Sequence, residues 1–280
     1  MRAAANESAR PWEQERAPVL GVGVSVITLP DAVLALDAFV RAKRPHYVCI
    51  TGVHGVIECR KDPRLRAIHA EADLVTPDGV PLVWMSRLLG YGPIGRVYGP
   101  DLMREVIRLS PALGYRHFFY GGAPGVAEQL RARLCTAVPG LSVVGIHCPP
   151  FRALTPEEDE AIVSEINAAQ PDIVWVGLST PKQEAWMAAH RGRITAPVMV
   201  GVGAAFDFLA GTKRQAPRWM QRSGLEWLYR LATEPRRLAG RYGKIVPLFL
   251  VLAAGQLLAR LFAPGRGGPA NPPRRLANGS

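Results

Sequence analysis

The sequence is poor in groups that bind metals or form disulfides. Its four cysteines, Cys49, Cys59, Cys135 and Cys148, show no C-x-x-C spacing, and each lies in or near an apolar run. This pattern predicts reduced, structural thiols rather than a redox or metal site. The chain also contains no D-x-D sequence and no cluster of histidines and carboxylates at ligand spacing. We therefore expect no dedicated metal site.

A secretory signal is missing as well, and so is an evenly spread positive charge. Residues 1–18 alternate charged and polar residues without an apolar core, which predicts a disordered tail on a cytosolic chain. Residues 1–211 contain 21 Lys/Arg and 21 Asp/Glu, whereas residues 212–280 contain 13 and 2, so the C-terminal part carries the whole net charge of +11. A nucleic-acid-binding domain more often spreads its basic residues over the folded body. We expect no nucleic-acid partner, and we do expect an anionic membrane surface as a partner.

Apolar runs of strand length alternate with helical segments over residues 19–211, and the hydrophobic content of 48% is enough for a sizeable core. Strands are predicted at 19–28, 46–51, 116–122, 141–147, 172–178 and 197–203, with a short apolar run at 72–75. Helices are predicted between them, among others at 31–44, 56–70, 80–89 and 126–138. This alternation predicts an α/β fold, a doubly wound, Rossmann-like, mostly parallel sheet. A basic, amphipathic helical appendage is predicted at 212–262, and a second disordered tail at 263–280.

The stretch PDIVWVGLSTPKQEAWM, residues 171–187, combines a buried strand, a tight turn and a helix start. Its first half is a continuous apolar run, typical of a parallel strand covered on both faces. The following S-T-P suits the N-cap and first turn of a helix. This turn follows the carboxyl end of a strand, where open α/β sheets bind ligands, and it presents Lys182, Gln183 and Glu184. A plain solvated helix start is the alternative interpretation.

Other strand-to-helix loops carry further candidate residues. In T-G-V-H-G, two glycines allow a ligand to approach closely, and His54 is a candidate acid, base or substrate contact. The alternative for His54 is a local hydrogen-bonding residue. In T-P-D-G, Asp78 is held between proline and glycine and would expose its carboxylate at the sheet edge, unless it only caps the next helix. Arg96, in R-V-Y-G-P-D-L, is a candidate anion contact.

A glycine-rich turn follows the predicted strand at 116–122. Gly121, Gly122 and Gly125 lie in the sequence GGAPG, and such a turn before a helix offers backbone N–H groups to a phosphate. Its spacing does not match the G-x-G-x-x-G fingerprint of dinucleotide sites. A nicotinamide cofactor is therefore disfavoured, and no cofactor is expected.

Four segments occur here in the order seen in one family of bacterial enzymes. They are TPDGVPLVW, RVYGPDL, PDIVWVGLSTPKQEAWM and VGVGAAFDFLAGTKRQAPRWMQRSGLEWLYRLATEPRR. Over roughly residues 20–240, the chain resembles the WecG/TagA/CpsF family of glycosyltransferases, which includes N-acetylmannosaminyltransferases of teichoic-acid and common-antigen synthesis. The resemblance implies that a hexosyl or N-acetylhexosaminyl group moves from a UDP-sugar to an undecaprenyl-diphosphate-linked acceptor. It also implies inversion, independence of metal, and a place on the cytoplasmic face of the cell membrane, in surface polysaccharide synthesis.

Site residues follow from the same resemblance. Asp78 matches the aspartate proposed as catalytic base, Thr51 matches a threonine lining the same pocket, and Arg96 matches an arginine before the G-x-D-L motif. Gln183 falls on the glutamine of the P-K-Q-E motif, and Asp207 on the aspartate after the glycine-rich last strand.

The loop after the second strand departs from the family pattern. Members with a T-x-N loop have asparagine where this chain has Val53. Recognition of the acceptor or donor sugar is therefore not carried over from the family, and His54 is a candidate for a different contact.

The C-terminal segment carries a membrane hypothesis and a second hypothesis about the site. Residues 245–262 are strongly apolar, but the short distance between the charges at 244 and 260 favours a segment in the membrane interface over a spanning helix. A core helix, or a helix at the interface of a homo-oligomer, is the alternative. Arg230, Arg236 and Arg237 precede this segment and are candidates to hold diphosphates at a site without a metal.

Two other function classes remain open from the sequence. One is a nucleotide-binding module that docks on membranes and has no transferase activity. The other is a nucleotide-dependent oxidoreductase, against which the poor dinucleotide fingerprint counts.

Overall fold

Parallel strands form the centre of the molecule. The structure is a computed structural model that describes residues 15–262. Two short strands, β1 (Arg16–Val19) and β2 (Val22–Ser25), form an antiparallel hairpin. The other strands are β3 (His46–Thr51), β4 (Leu74–Pro77), β5 (Arg116–Gly121), β6 (Ser142–His147), β7 (Ile173–Gly177) and β8 (Val198–Gly201). These six form one sheet in the order β4-β3-β8-β7-β5-β6, in which every neighbouring pair is parallel.

Helices cover both faces of this sheet. They are α1 (Leu29–Ala42), α2 (Val53–Lys61), α3 (Pro63–Glu71), α4 (Val80–Leu88), α5 (Gly99–Leu113), α6 (Val126–Ala137), α7 (Pro156–Ala168), α8 (Lys182–His190), α9 (Ala205–Ala210), α10 (Arg218–Arg222), α11 (Glu226–Thr233) and α12 (Pro235–Phe262). One face packs against α1, α5, α6 and α9, and the other against the hairpin, α2, α3, α4, α7, α8 and α12.

Strand β7 shows why both faces are covered. Its Val174 and Val176 belong to one apolar cluster, and its Ile173 and Trp175 belong to the other. All four are fully buried, as expected where successive side chains of a strand point to opposite faces. The predicted doubly wound parallel sheet is confirmed.

Two elements differ from the sequence prediction. The strand predicted at 19–28 is the second half of a hairpin and its turn, because Leu20 and Gly21 adopt left-handed φ values of 51° and 84° and reverse the chain. The helix predicted at 56–70 is two helices, since Asp62 accepts a hydrogen bond from the Arg64 N–H and Pro63 starts a new helix. Residues 16–18, predicted to lie in a disordered tail, belong to β1. Residues 1–14 of that tail, and the tail predicted at 263–280, lie outside the described residues.

The appendage ends in one long helix that lies partly on the body. In α12, Leu238, Ile245 and Phe249 are buried, and Ile245 and Phe249 join the same core cluster as the hairpin. The side chain of Gln256 bonds the turn of that hairpin: it accepts from the Leu20 N–H at 2.8 Å and donates to the Pro18 carbonyl at 2.6 Å. By length and composition, α12 is the one helix within residues 15–262 that could cross a membrane.

Candidate functional site

Asp78 lies where three loops meet at one edge of the sheet. It follows β4, and its N–H donates to the carbonyl of Thr51 at the end of β3, 3.0 Å away. Its carboxylate accepts a long hydrogen bond of 3.4 Å from the Gly99 N–H at the start of α5. A Cβ atom built on Gly52 would lie 3.6 Å from the other carboxylate oxygen. The absence of a side chain at Gly52 therefore leaves room on that side of the carboxylate.

The environment of Asp78 makes its carboxylate a stronger base than usual. The pKa of Asp78 is raised to about 6, mainly by burial; the charge of Glu226 also raises this pKa, whereas Arg96, the Gly99 N–H and Arg230 lower it. A base whose pKa lies near neutrality suits general base catalysis. The alternative capping role is not seen, because Gly79 is the N-cap of α4 and no side chain caps that helix.

Arg96 organises this edge through contacts within the protein. Its Nε donates to the Asp78 carbonyl at 2.6 Å, and its guanidinium also donates to the Gln221 carbonyl at 3.2 Å and to Glu226. The guanidinium lies 4.0 Å from the centre of the Tyr98 ring. Three of its donor groups are thus occupied. In the structure Arg96 links the Asp78 loop to the appendage, and its predicted contact with a bound anion stays a prediction.

Thr51 and His54 flank Asp78 but point elsewhere. Thr51 is buried, and its hydroxyl contacts Nε2 of the buried His69 at 3.1 Å. Since Nδ1 of His69 lies 2.9 Å from the Leu65 carbonyl and donates to it, Nε2 accepts from the Thr51 hydroxyl. Nε2 of His54 lies 3.8 Å from Glu58, one turn further along α2. Burial and the nearby Arg241 lower the pKa of His54, which favours its neutral form.

A cleft of about 680 Å³ opens at the carboxyl ends of β5, β7 and β8. Gly122 lines it, and Gly121 and Gly125 shape the same loop with φ values of 110° and 80°. At Gly121 a Cβ atom would lie 2.8 Å from the backbone of Gly177, so only glycine fits between these strand ends. Gly125 is the N-cap of α6, which places the loop at a helix N-terminus as predicted.

Gln183 and Asp207 take different positions around this cleft. Asp207 lines it, with Oδ2 3.6 Å from Nζ of Lys213. Gln183 is buried beneath it and donates to Glu184 at 3.1 Å. The predicted S-T-P cap also differs, because Pro181 itself is the N-cap of α8 and Thr180 donates to Glu184 at 2.8 Å.

Gly99 and Val202 connect the Asp78 edge to the lining of the cleft. Gly99, which donates to Asp78, packs so closely on β8 that a Cβ atom would lie 3.4 Å from the Val202 carbonyl. The next residue, Gly203, lines the cleft. On the same side, the rings of Tyr98 and Phe208 lie 6.5 Å apart. The candidate base therefore lies next to the large cleft.

The three candidate arginines of the appendage differ in burial and in their partners. The Arg230 guanidinium lies 5.8 Å from the centre of the Phe208 ring, and its buried Nε has no hydrogen-bond partner within residues 15–262. Its charge lowers the pKa of Asp78, so it lies near the carboxylate. Arg237 donates to Glu234 at 2.6 Å, and Arg236 is exposed.

Sequence reasoning missed Tyr98 and Glu226. The Tyr98 hydroxyl donates to one carboxylate oxygen of Glu226 at 2.9 Å, and Arg96 donates to the other. Both residues lie inside segments quoted for the family resemblance. An acidic residue at the first position of a helix is, however, typical of a favourable interaction with the helix dipole, so no signal marked its long-range contact.

Comparisons with known proteins agree with this architecture. Residues 17–262 match the Glycosyl transferase WecG/TagA/CpsF family. Over 180 residues, 64% of this chain and 68% of the relative, the sequence is 32% identical to an N-acetylglucosaminyldiphosphoundecaprenol N-acetyl-β-D-mannosaminyltransferase of Bacillus spizizenii. Proteins of the same name from Bacillus subtilis and Staphylococcus aureus are 29% and 30% identical, over 63% and 64% of this chain and 67% and 68% of theirs. The resemblance inferred from the four segments is confirmed, and the chain belongs to the WecG/TagA/CpsF family of glycosyltransferases.

Proposed function

We propose that this glycosyltransferase moves a hexosyl or N-acetylhexosaminyl group from a UDP-sugar to a sugar on a polyprenyl diphosphate, with inversion and without a metal. The observation that carries the proposal is the partly buried Asp78, whose pKa is raised to about 6 and which Gly99 and Val202 join to the lining of a nucleotide-sized cleft. The names of the relatives support the acceptor, because each names a diphosphoundecaprenol that carries N-acetylglucosamine.

Inversion of the anomeric configuration follows when the acceptor hydroxyl displaces UDP in a single step. Asp78 takes the proton of the acceptor hydroxyl, the oxygen forms a bond to the anomeric carbon of the donor, and UDP leaves with the electron pair of the broken bond. On the Gly52 side, no side chain stands between the Asp78 carboxylate and an approaching acceptor sugar.

The large cleft is assigned to the donor. One wall contains the partly exposed Trp186, whose ring stacks on the buried Tyr120 at 4.2 Å, and it offers an apolar surface to the uracil base. The Gly122 N–H donates to the Gly177 carbonyl, so the diphosphate is assigned to the other N–H groups at the N-terminus of α6, and Lys182 and Lys213 supply positive charge. Within residues 15–262, no three His, Cys, Asp or Glu side chains converge as a metal site would require. We therefore assign the neutralisation of the negative charge on the leaving UDP to lysine and arginine side chains.

The appendage is assigned to the membrane. Most of the outer surface of α12 is apolar, with Val251, Leu261 and Phe262 more than two-thirds exposed. Arginines at its start, including Arg236 and Arg241, would each add roughly 1 kcal/mol of attraction to an anionic surface. We place the protein peripherally on the inner face of the cell membrane, where a lipid-linked acceptor is available.

The test is turnover by the full chain. A panel of UDP-sugars is mixed with a short-chain prenyl-diphosphate N-acetylglucosamine in EDTA, and UDP release and the product are measured. We expect release that requires both substrates, and NMR of the product should show the inverted anomeric configuration. Binding of UDP without transfer from any donor would instead indicate a nucleotide-binding module.

A further inference from the structure

A second cleft, of about 300 Å³, shares no lining residue with the donor cleft and is lined in part by Arg96. Its walls are α4, the residues that lead into α5, and α10. Val80, Val83, Trp84 and Arg87 line it from α4, and Arg218, Gln221 and Arg222 line it from α10. Arg96 and Tyr98 form its inner end, next to the loop of Asp78.

The α4 wall changes from apolar to positive with distance from Asp78. Val80, Val83, Trp84 and Arg87 occupy positions i, i+3, i+4 and i+7, which form one face of a helix. Val80 is only two residues after Asp78, and Arg87 is about 10 Å further along the helix axis. A ligand along this wall would meet the base first, then an apolar surface, and then a cation.

The outer end of the cleft carries positive charge that acidic groups do not neutralise. Arg87, Arg218 and Arg222 are exposed and form no ion pair within the described range 15–262. One guanidinium nitrogen of Arg87 donates to the Ile94 carbonyl at 2.7 Å, which fixes the side chain and leaves its other donors free. Asp101, the acidic residue of the lining, is paired with Arg104 at 2.7 Å.

The same end of α4 meets the end of α12. A Cβ atom on Gly90 would lie 2.9 Å from a guanidinium nitrogen of Arg260, near the end of that helix. Leu88, beside Arg87, is 65% exposed, and Leu261 and Phe262 are 78% and 81% exposed. The positive end of the cleft is thus adjacent to apolar surface, as a diphosphate on a hydrocarbon chain requires.

We propose that this cleft holds the diphosphate of the prenyl-linked acceptor between Arg87, Arg218 and Arg222, with the acceptor sugar along α4 and its hydroxyl at Asp78. The assignment rests on the proposed function, in which one sugar separates the reacting hydroxyl from the diphosphate. The spacing of base, apolar wall and arginines matches that order of groups. Planar guanidinium groups with several donors suit phosphate oxygens.

The experiment compares steady-state kinetics of the full chain and of R218A/R222A with a water-soluble, short-chain acceptor, so that membrane binding does not contribute. We expect the acceptor KM to rise about 10-fold or more, as the loss of charge-assisted hydrogen bonds predicts. The donor KM and kcat should stay near those of the unaltered chain. R44A/R131A is the matched control. It removes two exposed arginines, one just after α1 and one in α6, and should leave all three constants unchanged.

A binding measurement separates this inference from the proposed function. Calorimetry with the same acceptor, without donor, should show tight binding that R218A/R222A weakens and R44A/R131A does not. If the unaltered chain binds the acceptor in this way but transfers no sugar, the proposed function fails and the subsite stands. If the chain transfers sugar and R218A/R222A leaves both the acceptor KM and its binding unchanged, the subsite is wrong.

Discussion

Arg96 and Glu226 join the body of the enzyme to its appendage through a nearly buried ion pair. Nη2 of Arg96 lies 2.5 Å from Oε2 of Glu226, and the two side chains are 19% and 13% exposed. Arg96 also holds the carbonyl of Asp78, and Glu226 also accepts from the Tyr98 hydroxyl. Glu226 therefore helps to hold the Asp78 loop, and its charge raises the pKa of this proposed base, which Arg96 lowers.

Replacing Glu226 by glutamine should alter the pH dependence of the reaction. Glu226→Gln removes a negative charge that raises the pKa of Asp78, so this pKa should fall and Asp78 should become a weaker base. We expect the acid limb of kcat/KM to move to lower pH and the plateau rate to decrease. A pH–rate profile from about pH 4.5 to 8.5 measures both effects.

A matched variant controls for the change in net charge. Glu105→Gln removes the same charge from an exposed pair with Arg108 on α5, outside both clefts. Its profile should coincide with that of the unaltered chain. A purely structural role for Glu226 would be indicated if Glu226→Gln lowered the plateau but left the acid limb in place.

Arg230 should contribute most among the candidate arginines of the appendage. It is the one near Asp78, whereas Arg237 is engaged by Glu234 and Arg236 is exposed. Arg230→Ala should lower kcat with a short-chain acceptor about 10²-fold, the usual effect of removing one group that stabilises transition-state charge. Arg236→Ala and Arg237→Ala should have smaller effects in the same assay. Unchanged turnover in all three variants would leave these arginines a role at the membrane alone.

The full chain should sediment with liposomes that contain anionic lipid, and added salt should release it. V251E/L258E, which places charges on the exposed surface of α12, should bind far less, as should a chain without residues 234–280. L34E/L113E, at exposed leucines of α1 and α5, is the matched control and should bind normally. Equal sedimentation of V251E/L258E and the unaltered chain would refute the role of α12.

The sequence predicts the sheet well because most of its strands are apolar runs of strand length, a local pattern that is typical of buried parallel strands. The hairpin was missed because Leu20 adopts a left-handed conformation that its residue type rarely takes, so no turn signal precedes Gly21. Asp78 was found from its turn and its family motif. The pair between Arg96 and Glu226 could not be found, because their 130-residue separation is closed only by packing of the appendage.

The charge of Asp78 should cost stability at neutral pH. Its pKa is about 6 in the folded protein and 3.8 in an ordinary setting, so between these values the folded state binds more protons than the unfolded state. Stability contributed by the protonated carboxyl is therefore present below about pH 4 and is lost as the pH rises through 6. At pH 7.5, Asp78→Asn should unfold at the same or a higher temperature, with a gain of at most about 3 kcal/mol. Melting curves at pH 4.5 and 7.5 test this, and the gain should be smaller at the lower pH.

Asp78→Asn should also abolish most of the transfer while leaving the donor bound. Asparagine keeps the size of the side chain and accepts a hydrogen bond from Gly99, but it cannot take the proton of the acceptor hydroxyl. Loss of a general base typically lowers the rate about 10²–10⁴-fold. UDP affinity, measured by calorimetry, should stay within a few-fold, because the assigned donor cleft does not include Asp78. Near-normal turnover in a well-folded Asn variant would end the assignment of Asp78 as the base. A large drop in melting temperature would show instead that the carboxylate mainly supports the loop.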